Sequence, residues 1–174
     1  MPQRTPSQTI GPFFHEALRW KDAGKVAFAS GGGERVVITG RMTDGSGQPV
    51  GDAMIETWQR LPAGSTPASG SGSGNPYAFG RLETGKDGSF RIETQMPEGA
   101  APFLDVTIFA RGLLKGLRTR VYLGDEAKVR AEPTLKELAN SPRLATLVAQ
   151  RAGTGEYRWD IRLQGEGETV FFAA

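Results

Sequence analysis

Apolar positions in this chain recur with a period of two far more often than with the period of a helix. Residues 35–42 (RVVITGRM) are rich in β-branched side chains and run into the turn Asp44-Gly45-Ser46-Gly47. Residues 53–59 predict a second strand, with Met54, Glu56 and Trp58 facing away from Ile55 and Thr57. Residues 79–84 and 89–94 flank Lys86-Asp87-Gly88, a spacing that predicts a hairpin. Residues 103–110 and 117–123 are further strands, the second stopping at Gly124-Asp125. Residues 157–163 (YRWDIRL) alternate apolar with charged and give the clearest half-buried strand, and residues 169–172 predict a last one. Helical spacing is clear once. Ser141 can cap, Pro142 takes the first helical position, and Leu144, Leu147 and Val148 carry the pattern to Arg151. Residues 133–139 predict another short turn of helix. About eight short strands separated by turns predict an all-β fold, a β-sandwich with one or two short helices near 133–151.

Two stretches fall outside this pattern. Residues 1–34 read as an extended N-terminal arm whose Phe13, Phe14, Leu18 and Trp20 need something to pack against, and residues 35–174 form the sandwich domain. Residues 62–75 are a low-complexity Gly/Ser/Pro/Ala loop with no legible phosphate cradle.

Composition narrows the chemistry. The 174 residues fit one domain, and 24 glycines and 11 prolines suit a turn-rich β fold. A net charge of +2 is too small to argue for nucleic acid or a membrane surface. No apolar run is long enough to span a bilayer, and residues 1–6 lack the apolar core of a signal peptide. The chain has no cysteine, which suits a reducing compartment, so the cytoplasm is the expected location. It also has one histidine, His15. Metal centres and nucleophile–base pairs are built largely from imidazole and thiolate, so a complete reactive centre of either kind is not expected within this chain alone.

Three segments resemble the intradiol ring-cleavage dioxygenases: residues 5–13 (TPSQTIGPF), 108–112 (IFARG) and 157–172 (YRWDIRLQGEGETVFF). The strand 55–59 (IETWQ) is similar to that family's E-x-W-Q strand, and the likeness runs through nearly the whole chain. The resemblance implies paired, homologous alpha and beta chains in a multi-copy hetero-oligomer. The beta chain would hold a non-haem Fe(III) with two tyrosinates and two histidines. The implied reactants are O2 and a small aromatic diol, protocatechuate, whose ring is opened to 3-carboxy-cis,cis-muconate on the β-ketoadipate route. In such chains the histidines lie two apart on one strand. Here Phe103 and Asp105 stand at those two places, and residues 96–102, where one ligand tyrosine belongs, contain none. Tyr77 falls near the other tyrosine's loop but out of register. The resemblance therefore implies a vestigial position that binds no metal, and places the chain with the alpha type.

By the same resemblance, Thr9, Ile10, Gly11, Pro12 and Phe13 line the mouth of the partner's iron pocket, although an interchain strap without substrate contact would use the same residues. Arg111 lies at a strand end before Gly112 and is placed at the rim of that pocket, where a guanidinium suits a substrate carboxylate. A solvated arginine, or one paired across an interface, would look the same. His15 reads as packing or surface, and Tyr77 and Tyr122 as packing. Asp105 needs a cationic partner, for which Arg81, Arg118 and Arg120 are available. Arg118, Arg120, Arg158 and Arg162 form solvated or interface faces. Two other readings stay open: a non-catalytic sandwich module derived from the same family, and an iron enzyme in its own right.

Overall fold

The computed structural model describes residues 33–60 and 77–173, and within them nine strands form two stacked sheets. The first sheet holds β1 (Arg35–Thr43), β4 (Ser89–Gln95), β7 (Gln150–Gly153), β8 (Glu156–Arg158) and β9 (Ile161–Arg162). β1 is its centre, antiparallel to β4 and parallel to β8 and β9. The second sheet has the order β3-β2-β5-β6, from β3 (Tyr77–Glu83), β2 (Met54–Arg60), β5 (Phe103–Phe109) and β6 (Leu117–Tyr122), all antiparallel neighbours. Strict alternation sends Val36, Ile38, Ile55, Ile92, Leu104, Val106 and Ile108 into the space between the sheets, where each is at most 1% exposed. The all-β sandwich expected from the period-two pattern is the observed fold.

Four local expectations need correction. The Lys86-Asp87-Gly88 turn does not make a hairpin, because β3 pairs with β2 and β4 with β1, so the turn carries the chain from one sheet to the other. Gly88, at φ +76°, lets the Met42 carbonyl approach where a Cβ would collide with it, and Met42 N donates to Gly88 O at 2.8 Å. The helix after Ser141 is a single 3₁₀ stretch, Pro142–Leu147. Val148 is already extended and bridges Tyr122, and Ala149 N donates to Tyr122 O at 2.9 Å, so pairing with β6 outcompetes further helix. The alternating run 157–163 buries Tyr157, Trp159 and Ile161 as expected, but it is broken into β8 and β9. At the break the Asp160 carboxylate accepts from Arg41 N at 2.9 Å, taking a place that a backbone carbonyl would otherwise fill. Residues 169–172 contribute only one bridge, Phe172 to Arg118.

A short helix, α1 (Glu126–Arg130), lies where the sequence suggested only a strand end. Asp125 caps it by accepting from Ala127 N at 2.9 Å, with Glu126 in the first turn and Lys128 and Arg130 in the last. With the 3₁₀ segments Pro133–Leu138 and Pro142–Leu147, it builds a second core around Tyr122, Val129, Leu135, Leu144 and Leu147. Burying each of these leucines stabilises the fold by about 1.5–3 kcal/mol. This helical layer fixes Thr134 beside the outer face of β6.

Candidate functional site

The outer face of β5 is set by the same alternation that fills the core. With Leu104, Val106 and Ile108 turned inward, Phe103, Asp105, Thr107 and Phe109 face outward, half-buried. The register then decides what each of them meets. On β6, Tyr122 stands opposite Phe103, Arg120 opposite Asp105 and Arg118 opposite Thr107; on β2, Trp58 stands opposite Asp105. Phe103 and Asp105 thus share one face, as two residues spaced i, i+2 on a strand must.

Arg120 fills the space above them. Its Nε donates to Asp105 Oδ1 at 2.8 Å, and its guanidinium lies 4.3 Å from the centre of the Phe103 ring and 5.7 Å from that of Phe172. Nη1 reaches the Tyr122 hydroxyl and Thr134 Oγ1, both at 3.4 Å. Burial disfavours the charge on Arg120, but the Tyr122 hydroxyl and Asp105 outweigh it and hold the guanidinium protonated more firmly than in a free arginine. Tyr122 is fully buried and packs on Phe103 with ring centres 5.3 Å apart, the packing role expected of it.

This arrangement does not fit an iron ion. Phe103 offers no donor atom, the Asp105 carboxylate is engaged by Arg120, and a permanent cation occupies the space above both. Among the described residues no group of three or more His, Cys, Asp or Glu side chains is placed to hold a metal. Of the three arginines offered as partners for Asp105, the register selects Arg120. Arg81 is opposite Glu56 and pairs with it, while Arg118 sits one row away, exposed, with no side-chain partner among the described residues.

The same surface forms a groove of about 450 Å³. Its floor is β5 and β6, Trp58 stands on one side, and Thr134 and the C-terminal residues Phe172 and Ala173 stand on the other. Phe172 N donates to Arg118 O at 2.8 Å, which ties the tail along the edge of β6. Trp58 packs against Phe79 in a tilted arrangement, 4.8 Å between ring centres, yet remains 45% exposed. Nothing local in the sequence marks this groove; its signal is the outward positions 58, 105 and 120 in one row with 118 in the next, visible only once the register is known.

Arg111 lies elsewhere. It follows the far end of β5, six residues and roughly 20 Å of extended chain from Asp105. The chain turns there: Leu113 N donates to Ala110 O at 3.2 Å, and Gly112 takes φ +87°. Arg111 Nε donates to the Asp52 carboxylate just before β2, and the side chain is 70% exposed. Asp52 was not singled out from the sequence, because its meeting with Arg111 depends on the β2–β5 register. Close by, Leu114 is 81% exposed, the most exposed large apolar side chain among the described residues. Arg111 and the Phe103/Asp105 position therefore belong to two separate surfaces. Thr9, Ile10, Gly11, Pro12, Phe13 and His15, with the loop 62–75, lie outside the described residues.

Comparison with known proteins gives this geometry a context. The family model described as Dioxygenase matches residues 10–103. The chain is 39% identical over 191 aligned residues to the protocatechuate 3,4-dioxygenase alpha chain of Burkholderia cepacia, covering 98% of this chain and 97% of that one. It is 26% identical over 187 aligned residues to the beta chain of the same enzyme from the same organism, covering 94% of this chain and 77% of that one. Among solved structures, the dioxygenase domain of a dioxygenase–carbohydrate-binding fusion from Streptomyces sp. SirexAA-E has the same fold, with a TM-score of 0.55 at 23% identity over 94% of this chain and 99% of that one.

Proposed function

The chain belongs to the intradiol ring-cleavage dioxygenase family, and from that premise we propose that it is the alpha subunit of a protocatechuate 3,4-dioxygenase. The complex would insert both atoms of O2 into protocatechuate and open the ring between the two hydroxyl-bearing carbons, releasing 3-carboxy-cis,cis-muconate. The observation that carries the alpha assignment is Arg120: a paired, stacked guanidinium fills the face where the resemblance puts the iron histidines. The Fe(III) on which this family depends would be held by a homologous beta chain, and the assembly would be an alpha–beta hetero-oligomer. The cysteine-free composition suits the cytoplasm, where we place it.

In this reading the chain's contribution is shape and charge at the partner's pocket. The arm, residues 1–34, packs on the beta chain, and Thr9, Ile10, Gly11, Pro12 and Phe13 close the mouth of the pocket. Arg111 serves the substrate carboxylate from the rim. Its placement supports this: it lies at a strand end, with Asp52 fixing Nε while the outer nitrogens carry no hydrogen bond among the described residues. A guanidinium held by one edge presents its other edge in a fixed orientation, ready for a bidentate pair. Leu114, two turn residues beyond Gly112, is a natural apolar anchor for the partner.

The test is steady-state cleavage of protocatechuate by the reconstituted complex carrying Arg111→Ala. The expected result is a KM raised about tenfold or more with iron content unchanged, since losing a charge-assisted pair costs about 1.5–3 kcal/mol. Unchanged kinetics would remove Arg111 from the pocket, and loss of iron or of the partner would make it an assembly residue.

A further inference from the structure

The groove over β5 and β6 combines features that the alpha role does not use. We propose that it is a binding site of this chain's own for a small aromatic monocarboxylate, separate from the pocket that Arg111 borders.

The charge balance sets the ligand's sign. Asp105 and Arg120 neutralise each other at 2.8 Å, and Arg120 is further held between the Phe103 and Phe172 rings. Arg118 lines the same groove, exposed, with no side-chain partner among the described residues. Among the described residues that line the groove, the charges of Asp105, Arg118 and Arg120 therefore leave one positive charge uncompensated. A guanidinium beside a hydroxyl suits a planar carboxylate: Thr107 stands opposite Arg118, and Thr134, which accepts from Arg120, lines the same groove.

The walls set the rest of the ligand. Trp58 is 45% exposed and lines the groove, an aromatic surface left uncovered by its contact with Phe79. Phe172 contributes a second ring. A volume of about 450 Å³ is at the lower end of small-molecule sites, enough for a single-ring compound. A dianion such as phosphate fits less well, because the groove carries one uncompensated positive charge and Asp105 would repel the second negative charge. The fixed parts are rigid: Arg118 and Thr107 are strand residues in register, and the tail is tied by the Phe172 N to Arg118 O bond.

The experiment is equilibrium dialysis and fluorine NMR with 4-fluorobenzoate, on the full-length chain and on its complex with the beta chain. The expected result is saturable binding of one molecule at this groove in the chain alone, with a second molecule per alpha–beta pair, in the partner's pocket, in the complex. In the chain alone, Arg118→Leu should weaken it about tenfold or more, Trp58→Leu several-fold, and Arg111→Ala not at all, whereas in the complex Arg111→Ala should weaken only the molecule held in the partner's pocket. Cyclohexanecarboxylate and sulfate should compete poorly. Equal affinity in the Arg118→Leu protein, or displacement by sulfate as effective as by benzoate, would overturn the proposal. Loss of binding in Arg111→Ala with none in Arg118→Leu would assign the ligand to the partner's pocket instead, which leaves the alpha reading standing while removing this one.

Discussion

Replacing Arg120 with methionine should lower stability by about 2 kcal/mol, and the structure says where that figure comes from. The pair with Asp105 is short, 2.8 Å, but the Asp105 side chain is 47% exposed. Solvent screening therefore reduces its worth to about 1 kcal/mol. The guanidinium above Phe103, partly desolvated, adds about 0.5–2 kcal/mol. Methionine keeps most of the stem's packing, so little further loss is expected. In a protein of this size 2 kcal/mol corresponds to a fall in Tm of about 4–8 °C. The assay is urea and thermal unfolding of a double-mutant cycle: Arg120→Met, Asp105→Asn and the two together. The double mutant should be more stable than additivity predicts by about 1 kcal/mol, since Asp105→Asn removes the charge left unpaired. Wild-type stability in Arg120→Met, or a coupling within about 0.3 kcal/mol of zero, would refute the claim that a cation has been built into this face.

Other expectations follow from separate parts of the molecule. Glu93 accepts from Arg91 Nε at 2.9 Å and from Arg35 Nη2 at 2.5 Å, and these two hydrogen bonds hold its carboxyl below its ordinary value of 4.5. Its contribution is thus present above pH 4.5 and is lost as pH falls through the lower folded value. Urea midpoints between about pH 3 and pH 7 should show a shallower acid limb in Glu93→Gln than in wild type. Gly40→Ala places a methyl 1.8 Å from the Trp159 carbonyl oxygen and 2.6 Å from the Phe90 ring, so it should cost at least about 1–3 kcal/mol in denaturant unfolding. Leu144→Ala opens a cavity in the core beneath the helical layer and should cost about 2–5 kcal/mol by the same measurement.

How much of this was legible beforehand divides along physical lines. The six strands β1–β6 announce themselves because each buries alternate residues, and that signal is local. Which strand pairs with which is not local. Lys86-Asp87-Gly88 is a good turn either between paired strands or between sheets, and only the pairing of β3 with β2 distinguishes the two. The helix after Ser141 is legible at its start, where the cap is a local interaction, and not at its end, where Tyr122 recruits Val148. The helix α1 carried its own signature in Asp125, Glu126 and Arg130, which the strand ending before it obscured. At the candidate site, the shared face of Phe103 and Asp105 followed from their spacing. The choice of Arg120 over Arg81 and the capture of Arg111 by Asp52 required the register.

The central claim is that this chain completes a catalytic centre whose metal belongs to a partner. Co-expression with a beta chain bearing two tyrosine and two histidine ligands, followed by metal analysis and oxygen uptake on protocatechuate, tests it directly. The account predicts a stable complex with one iron per alpha–beta pair and ring cleavage that requires both chains. Stoichiometric iron with a tyrosinate-to-iron visible band in this chain alone, or a beta chain fully active without it, would contradict the account.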